Sequence, residues 1–377
     1  MVSTRELRQA LHRHPELSGG EHQSARLVAE FMAPLRPDAT VTGLGGTSLA
    51  FAFGAAATGP TVLLRCELDA VPVTEAAASG PAVGFGNAAH RCGHDGHMAI
   101  MAAVAQSLAA QRPRRGRVVL LFQSAEETGV GAAAVIADPR FGPLHPDWVF
   151  ALHNLPGYQL GAVVVRDGTF SCASRGMVVE FTGRAAHAAQ PETGASPAAA
   201  MCQLIAAYDS LAAEFAGTGE LAFATVVGAR LGERAFGTAP ALASVFATLR
   251  CESNQTMGRM SGHCEATARR LAGACGLGVK IAYEDVYDAT GNDEQAVACI
   301  RRVAAPLELI EASEAFRWSE DFGRFTARWP GALFGVGAGA ACAALHDATY
   351  QFPDELIAPA AALMVRIVAD RLASGTE

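Results

Sequence analysis

Lysine is almost absent from this chain. Of 29 basic residues only Lys280 is a lysine, against 37 acidic residues and a formal net charge of −8. That balance excludes a nucleic-acid binder, which needs a basic surface to meet phosphate. No apolar run approaches the roughly 18 residues of a membrane span. Met1 to Ala10 is polar where a secretory signal would be apolar, so a cytoplasmic protein with no membrane partner is expected. A disulfide framework is missing too: nine cysteines, an odd number, are scattered through mostly apolar or alanine-rich stretches, which suits small core residues. Aromatics make up only 7% of the chain, yet half of its 377 residues are apolar and 18% are charged. Disorder and low complexity are thereby excluded, and at roughly 150 residues per domain the length suits two domains.

What is present is an alternation of strands and helices. Ser18 and Glu21 have capping-box spacing ahead of Leu27, Phe31 and Leu35, which predicts a first helix beginning near Gly19. Apolar runs at Thr61–Arg65, Arg117–Phe122, Trp148–Leu152 and Leu333–Val336, with helices expected at 98–110, 131–137 and 358–373, predict a mostly parallel sheet covered on both faces. A glycine-rich GAGA loop follows the last strand. Between residues 177 and 283 the style changes. Strands at 177–181, 243–250 and 279–283 alternate apolar and polar, with helices at 198–215 and 256–274 between them, so an α+β segment is inserted into an α/β domain.

The chemistry-bearing residues follow the buried strands. Glu67 and Asp69 come after the first, Glu126 and Glu127 after the second, and His153 after the third. Ligands bind beyond the carboxyl ends of strands in open α/β sheets, so three strands deliver polar groups to one crevice. Between the first two lies His90-Arg91-Cys92-Gly93-His94-Asp95-Gly96-His97, and His346 follows the last strand. Thiolate, imidazole and carboxylate converging in this way describe a transition-metal site. Adjacent glutamates are more often a solvated helix face, and a single histidine after a strand is more often structural. Here Glu126 and Glu127 directly follow an apolar strand, where surface charge is less expected, and turn chemistry alone does not explain CGHDGH. Cys66, beside the site in sequence, reads as a core filler.

LHRHPELSGGE (11–21), LRCELDAVPVTE (64–75), HRCGHDGH (90–97), LFQSAEE (121–127), LHNLPG (152–157), GRAAHAAQP (183–191), WSEDF (318–322) and LHDATYQFPDE (345–355) occur in this order. In them the chain resembles the amidohydrolase branch of the M20 metallopeptidase family, which includes hippurate hydrolase, bacterial aminoacylases and plant auxin-conjugate amidohydrolases. The resemblance implies a catalytic metal-binding domain of residues 1–174 and 288–377 and a lid and dimerisation domain of residues 175–287. It implies a homodimer and two divalent metals per subunit (Mn, Zn, Co or Ni), held by Cys92, His94, Glu127, His153 and His346, with Cys92 bridging. Glu126 is then the general base that works on a metal-activated water, and Asp69 orients a ligand imidazole. His187 stabilises the oxyanion in the neighbouring subunit's site, although without its motif it would read as a surface histidine in a hairpin. Arg250 pairs with a substrate carboxylate.

The implied reaction is hydrolysis of the amide bond of an N-acyl amino acid or related small amide. A dipeptide or aryl amine is the alternative substrate at the same centre. A cysteine-nucleophile hydrolase built on Cys92 leaves Glu126, Glu127 and His346 without work, and a non-catalytic metal module has no use for Glu126. Several residues depart from the family pattern. Glu67, Ser124 and Ser48 stand where aspartate, proline and glycine are common; Glu192, Ser196 and Gly237 stand where histidine, aspartate and a substrate-side asparagine are common.

Overall fold

The computed structural model describes residues 2–56, 59–74 and 87–373, so Glu75, which ends one of the motifs above, lies outside the described residues. The chain divides into two compact units. The first runs to Phe170 and takes in Thr290–Ala315 and the chain from Glu320; the second comprises Ser171–Ala289 and Phe316–Ser319.

The first unit is built on an eight-stranded sheet. Thr61–Glu67 pairs in parallel with Gly116–Gln123 and Trp148–Pro156, and Trp148–Pro156 with Gly331–Gly339. Every residue of Thr61–Glu67 is buried, as befits a strand with helices over both faces. The hairpin Ala39–Leu44 and Ser48–Ala55 adds an antiparallel edge, and Val163–Val165 runs antiparallel to Gly331–Gly339. His94–Ala110 and Ile357–Ala373 supply much of the helical layer, and their apolar faces join Val62, Leu64, Phe122 and Phe334 in one core.

The second unit has its own core. Four antiparallel strands, Ala173–Thr182, Ala222–Leu231, Leu242–Cys251 and Gly278–Tyr287, form one sheet. Their alternate residues, Val179, Phe181, Val245 and Leu249 among them, pack on the helices Ala198–Phe215 and Asn254–Cys275. In Ala198–Phe215 the buried residues Ala200, Leu204, Tyr208 and Leu211 recur every three or four positions, so one stripe faces the sheet. Among the described residues no helix is long and apolar enough to cross a membrane.

Three local expectations need correction. The first helix is Thr4–His12, whose own capping box is Ser3 and Glu6. Ser18 and Glu21 do not cap the next helix, His22–Met32: Glu21 stands at its N-cap position without a side-chain cap bond, and Ser18 Oγ donates to Asp69 Oδ2 at 2.7 Å. Tertiary partners have claimed both side chains. The helix expected from residue 98 begins at His94, and the expected GAGA loop is strand as far as Gly339, where φ is +119°.

Candidate metal centre

The first unit brings seven of the expected site residues, Asp69 among them, to one place. Cys92 and His94 flank Gly93, whose φ of +96° turns the chain into the helix His94–Ala110. A Cβ at Gly93 would stand 2.7 Å from Asn154 Oδ1, so the position tolerates only glycine. His153 lies inside the strand Trp148–Pro156 rather than after it. His346 also has a left-handed backbone, with φ of +64°, and its N–H donates to the Arg91 carbonyl at 2.8 Å. Such strain in a non-glycine residue persists only when its surroundings enforce it.

Cys92 Sγ is 3.5 Å from His153 Nε2. Glu127 Oε1 is 3.8 Å from His94 Nε2 and 3.7 Å from His346 Nε2, and Glu126 Oε2 is 3.9 Å from His94 Nε2. The donor atoms of Cys92, His94 and His153 lie within 4.8 Å of one another, as do those of Cys92, Glu127 and His346. Cys92 is common to both groups. His94 Nε2 and Glu127 Oε1 are buried without a hydrogen-bond partner among the described residues, a costly condition that a cation between them relieves. The residues present therefore fit a divalent metal centre.

The imidazoles are turned correctly for ligation. His94 Nδ1 donates to the Asp69 carbonyl at 2.8 Å and His153 Nδ1 to the Asn154 carbonyl at 2.9 Å, so each Nε2 presents its lone pair. Asp69 thus orients His94 through its backbone oxygen, whereas its carboxylate Oδ2 accepts Ser18 Oγ and, at 2.9 Å, the Glu127 amide. Burial, with His97 adding to it, lowers His153 to about 3 and keeps it neutral. Burial pushes the Cys92 thiol up to about 12, with Glu127 adding to it, and pushes Glu127 up to about 7. Glu126 is held well above the usual carboxylate range by burial and by Glu320, Glu127 and Asp321. These shifts belong to the metal-free site; a divalent cation opposes the upward shifts of Cys92, Glu126 and Glu127 and reinforces the lowering of His153.

Burial keeps the Cys92 thiol protonated in the metal-free site, which does not favour Cys92 as a nucleophile.

Sequence reasoning missed the struts beneath this site. His97, a candidate ligand by spacing, is committed to other work. Its Nδ1 meets Glu67 Oε2 at 2.6 Å and its Nε2 meets Asn154 Oδ1 at 2.5 Å, while Asn154 Nδ2 donates to Tyr350 at 2.5 Å. Arg65, fully buried, pairs with Glu67, with Glu320 at 2.8 Å and with Asp321 at 2.5 Å. An arginine inside the apolar run TVLLRCE was the available signal, because such a charge must have buried partners.

The second unit holds the other two expected residues. His187 is exposed in the short strand Ala186–His187, paired with Thr238–Ala239, and its Nδ1 accepts the Ala189 N–H at 3.1 Å. Its proton is therefore on Nε2, which can donate. Gly237 lies beside it, accepting the Ala188 N–H at 3.0 Å. Arg250 donates to the Arg317 carbonyl at 2.6 Å and to Ser319 Oγ at 3.0 Å, both uncharged acceptors.

Residues 63–370 match peptidase family M20/M25/M40. The chain belongs to this family. It is 29% identical to an N-acetyl-L-cysteine deacetylase of Bacillus subtilis over 88% of the chain and 79% of that protein. To a hippurate hydrolase of Campylobacter jejuni it is 28% identical over 96% of the chain and 94% of that protein. A Bacillus subtilis crystal structure, described as a dinuclear metal-binding peptidase of the M20 family, matches with a TM-score of 0.81 at 20% identity, covering 98% of each chain; at that identity it supports the fold.

Proposed function

We propose that this M20 chain hydrolyses the amide bond of an N-acyl amino acid or a related small amide. Cys92, His94, Glu127, His153 and His346 would hold two divalent ions, which would supply the activation of water and carbonyl that the reaction needs. The observation that carries this reading is the sharing of Cys92 by two candidate ligand groups, while Glu126, which groups with His94 and Glu127 and with Glu320 and Asp321 but not with Cys92, stands 3.9 Å from His94 Nε2. The relatives named for deacetylation and hippurate hydrolysis point to the same substrate class.

The chain's own residues do the rest. Glu126, its proton affinity raised by burial among acidic neighbours, takes a proton from the attacking water and returns it to the leaving amine. Asp69 holds the His94 ring in place. His187, protonated at Nε2, donates to the carbonyl oxygen as negative charge builds there, in a homodimer that places it in the partner's site. Arg250, whose acceptors here are uncharged, meets the substrate carboxylate. The enzyme works in the cytoplasm, where its nine cysteines stay reduced.

The test is to load purified protein with manganese, zinc, cobalt or nickel and to assay a panel of N-acyl amino acids. Chelation should abolish turnover. Cys92→Ala should lose metal and activity together, while Cys66→Ala, a change at a buried packing residue, should keep its metal. Full metal occupancy in Cys92→Ala would overturn the ligand assignment.

A further inference from the structure

Three side chains from separate segments grip the backbone that leads into Glu126 and Glu127. Ala125, between the end of the strand and the glutamate pair, has φ of +54°, a conformation in which its Cβ crowds the following carbonyl. The turn closes through the Gly129 N–H on the Glu126 carbonyl at 2.8 Å and the Gly131 N–H on the Ala125 carbonyl at 3.0 Å. The preceding amide, Ser124 N–H, donates to Ser48 Oγ at 2.9 Å. The Glu127 amide donates to Asp69 Oδ2 at 2.9 Å. Between them the Ala125 amide donates to Glu21 Oε1 at 2.8 Å.

Glu21 is fully buried, and each of its oxygens is engaged. Oε1 also accepts the Gly19 N–H at 2.8 Å, and Oε2 accepts Thr47 Oγ1 at 2.6 Å. A buried carboxylate is expensive unless its hydrogen bonds are complete, and this one is placed to accept the amide of the one residue in the turn whose backbone is strained. Ser48 and Ser124, both departures from the family pattern, bond to each other as well, with their hydroxyls 2.8 Å apart.

We propose that Glu21 is a positioning residue for the reaction: its carboxylate holds Ala125 in the left-handed conformation and so aims Glu126 and Glu127 at their separate tasks. The inference rests on the reading of Glu126 as base and Glu127 as ligand. Losing the grip lets the turn relax, and a displacement of about 1 Å at a reacting group costs up to the order of 100-fold in rate.

The experiment compares Glu21→Ala, Glu21→Gln, Ala125→Gly and the double variant Glu21→Ala/Ala125→Gly as purified, metal-loaded protein. It measures kcat, KM, bound metal and the thermal midpoint. Glu21→Ala should lower kcat roughly 10- to 100-fold with little change in KM, and should weaken metal retention. Glu21→Gln keeps an acceptor oxygen for both amides and should stay near wild type. Glycine adopts the left-handed conformation without penalty, so Ala125→Gly should restore much of the activity that Glu21→Ala loses. A merely structural Glu21, serving the adjacent helix and Thr47, would not be rescued at residue 125. A folded, metal-loaded Glu21→Ala protein with wild-type kcat would overturn the proposal. So would absence of rescue by Ala125→Gly, or loss of folding in Glu21→Ala that persists in the double variant. Glu126→Gln serves as the control: if it remains active, the underlying reading of the base fails whatever Glu21 does.

Discussion

Glu126 and Glu127 are one residue apart and both buried or nearly so, yet their surroundings separate them. Glu127 Oε1 faces two imidazoles, whereas Glu126 faces Glu320 and Asp321 as well as His94. Glu126→Gln, which keeps size and removes proton acceptance, should therefore bind metal normally and lose ~10²- to 10⁴-fold in turnover. Glu127→Gln should instead weaken the metal itself. Metal titration alongside initial rates distinguishes the two, and the opposite pattern would exchange their roles. Protons also set the affinity for metal, since a ligand must give up its proton to bind. In the metal-free protein burial holds Cys92 at about 12 and Glu127 at about 7. Both folded values are raised, so protons compete with metal on the low-pH side. The apparent metal affinity should rise with pH, more steeply below about 7, where Glu127 adds its proton to that of Cys92, than above it. Calorimetry in buffers of different ionisation enthalpy counts the protons released, and an affinity independent of pH between 5 and 8 would refute the thiol and carboxylate ligands.

Elements position the site through the places where they stop. The helix His94–Ala110 can begin only after a left-handed Gly93, and Asn154 fills the space where any larger residue would put its Cβ. Gly93→Ala should cost roughly 2–4 kcal/mol in stability, from backbone strain and the clash together. It should also lower metal content, because Cys92 and His94 lie on either side of it. Urea unfolding and metal analysis check this. The same junctions show why the sequence was readable in part. Buried strands announced themselves because a sheet covered on both faces demands unbroken apolar runs, and TVLLRCE and RVVLLF supply them. Cys92, His94 and His346 could be singled out only through the motifs in which the chain resembles the M20 family, since spacing alone offered His90 and His97 equally. Glu21 and His97 could not be assigned. Capping-box spacing and metal-ligand spacing describe them adequately, and what decides otherwise is partners distant in the chain: Ala125 for Glu21, and Glu67 and Asn154 for His97. The helix Thr4–His12 carried the same capping signal at Ser3 and Glu6, and Leu7 and Leu11, one turn apart, are its buried hydrophobic residues.

At the scale of the whole molecule the proposal assigns His187 and Glu126 to different units of the chain. If His187 completes the partner's site, His187→Ala and Glu126→Gln homodimers should each be nearly inactive. A mixed dimer then contains one complete site. Random assortment of equal amounts makes about half of the dimers mixed, so activity should recover to roughly a quarter of wild type on co-expression. Mixed dimers isolated with two affinity tags and showing no recovered activity would return His187 to its own subunit or to a surface role. The interruption of one unit by the other has a further consequence, in the order in which the protein is made. Four of the five proposed ligands precede Ser171, but His346 follows His153 by 193 residues, with the second unit encoded between them. At 5–20 residues per second the ribosome needs roughly 10–40 s to cover that stretch. Throughout it the nascent first unit has a thiol, two imidazoles and a carboxylate but no final donor, and part of its sheet, including Gly331–Gly339, does not yet exist. A complete centre is therefore a late event in the life of the chain, and any transcript cut short before codon 346 yields a protein unable to finish it.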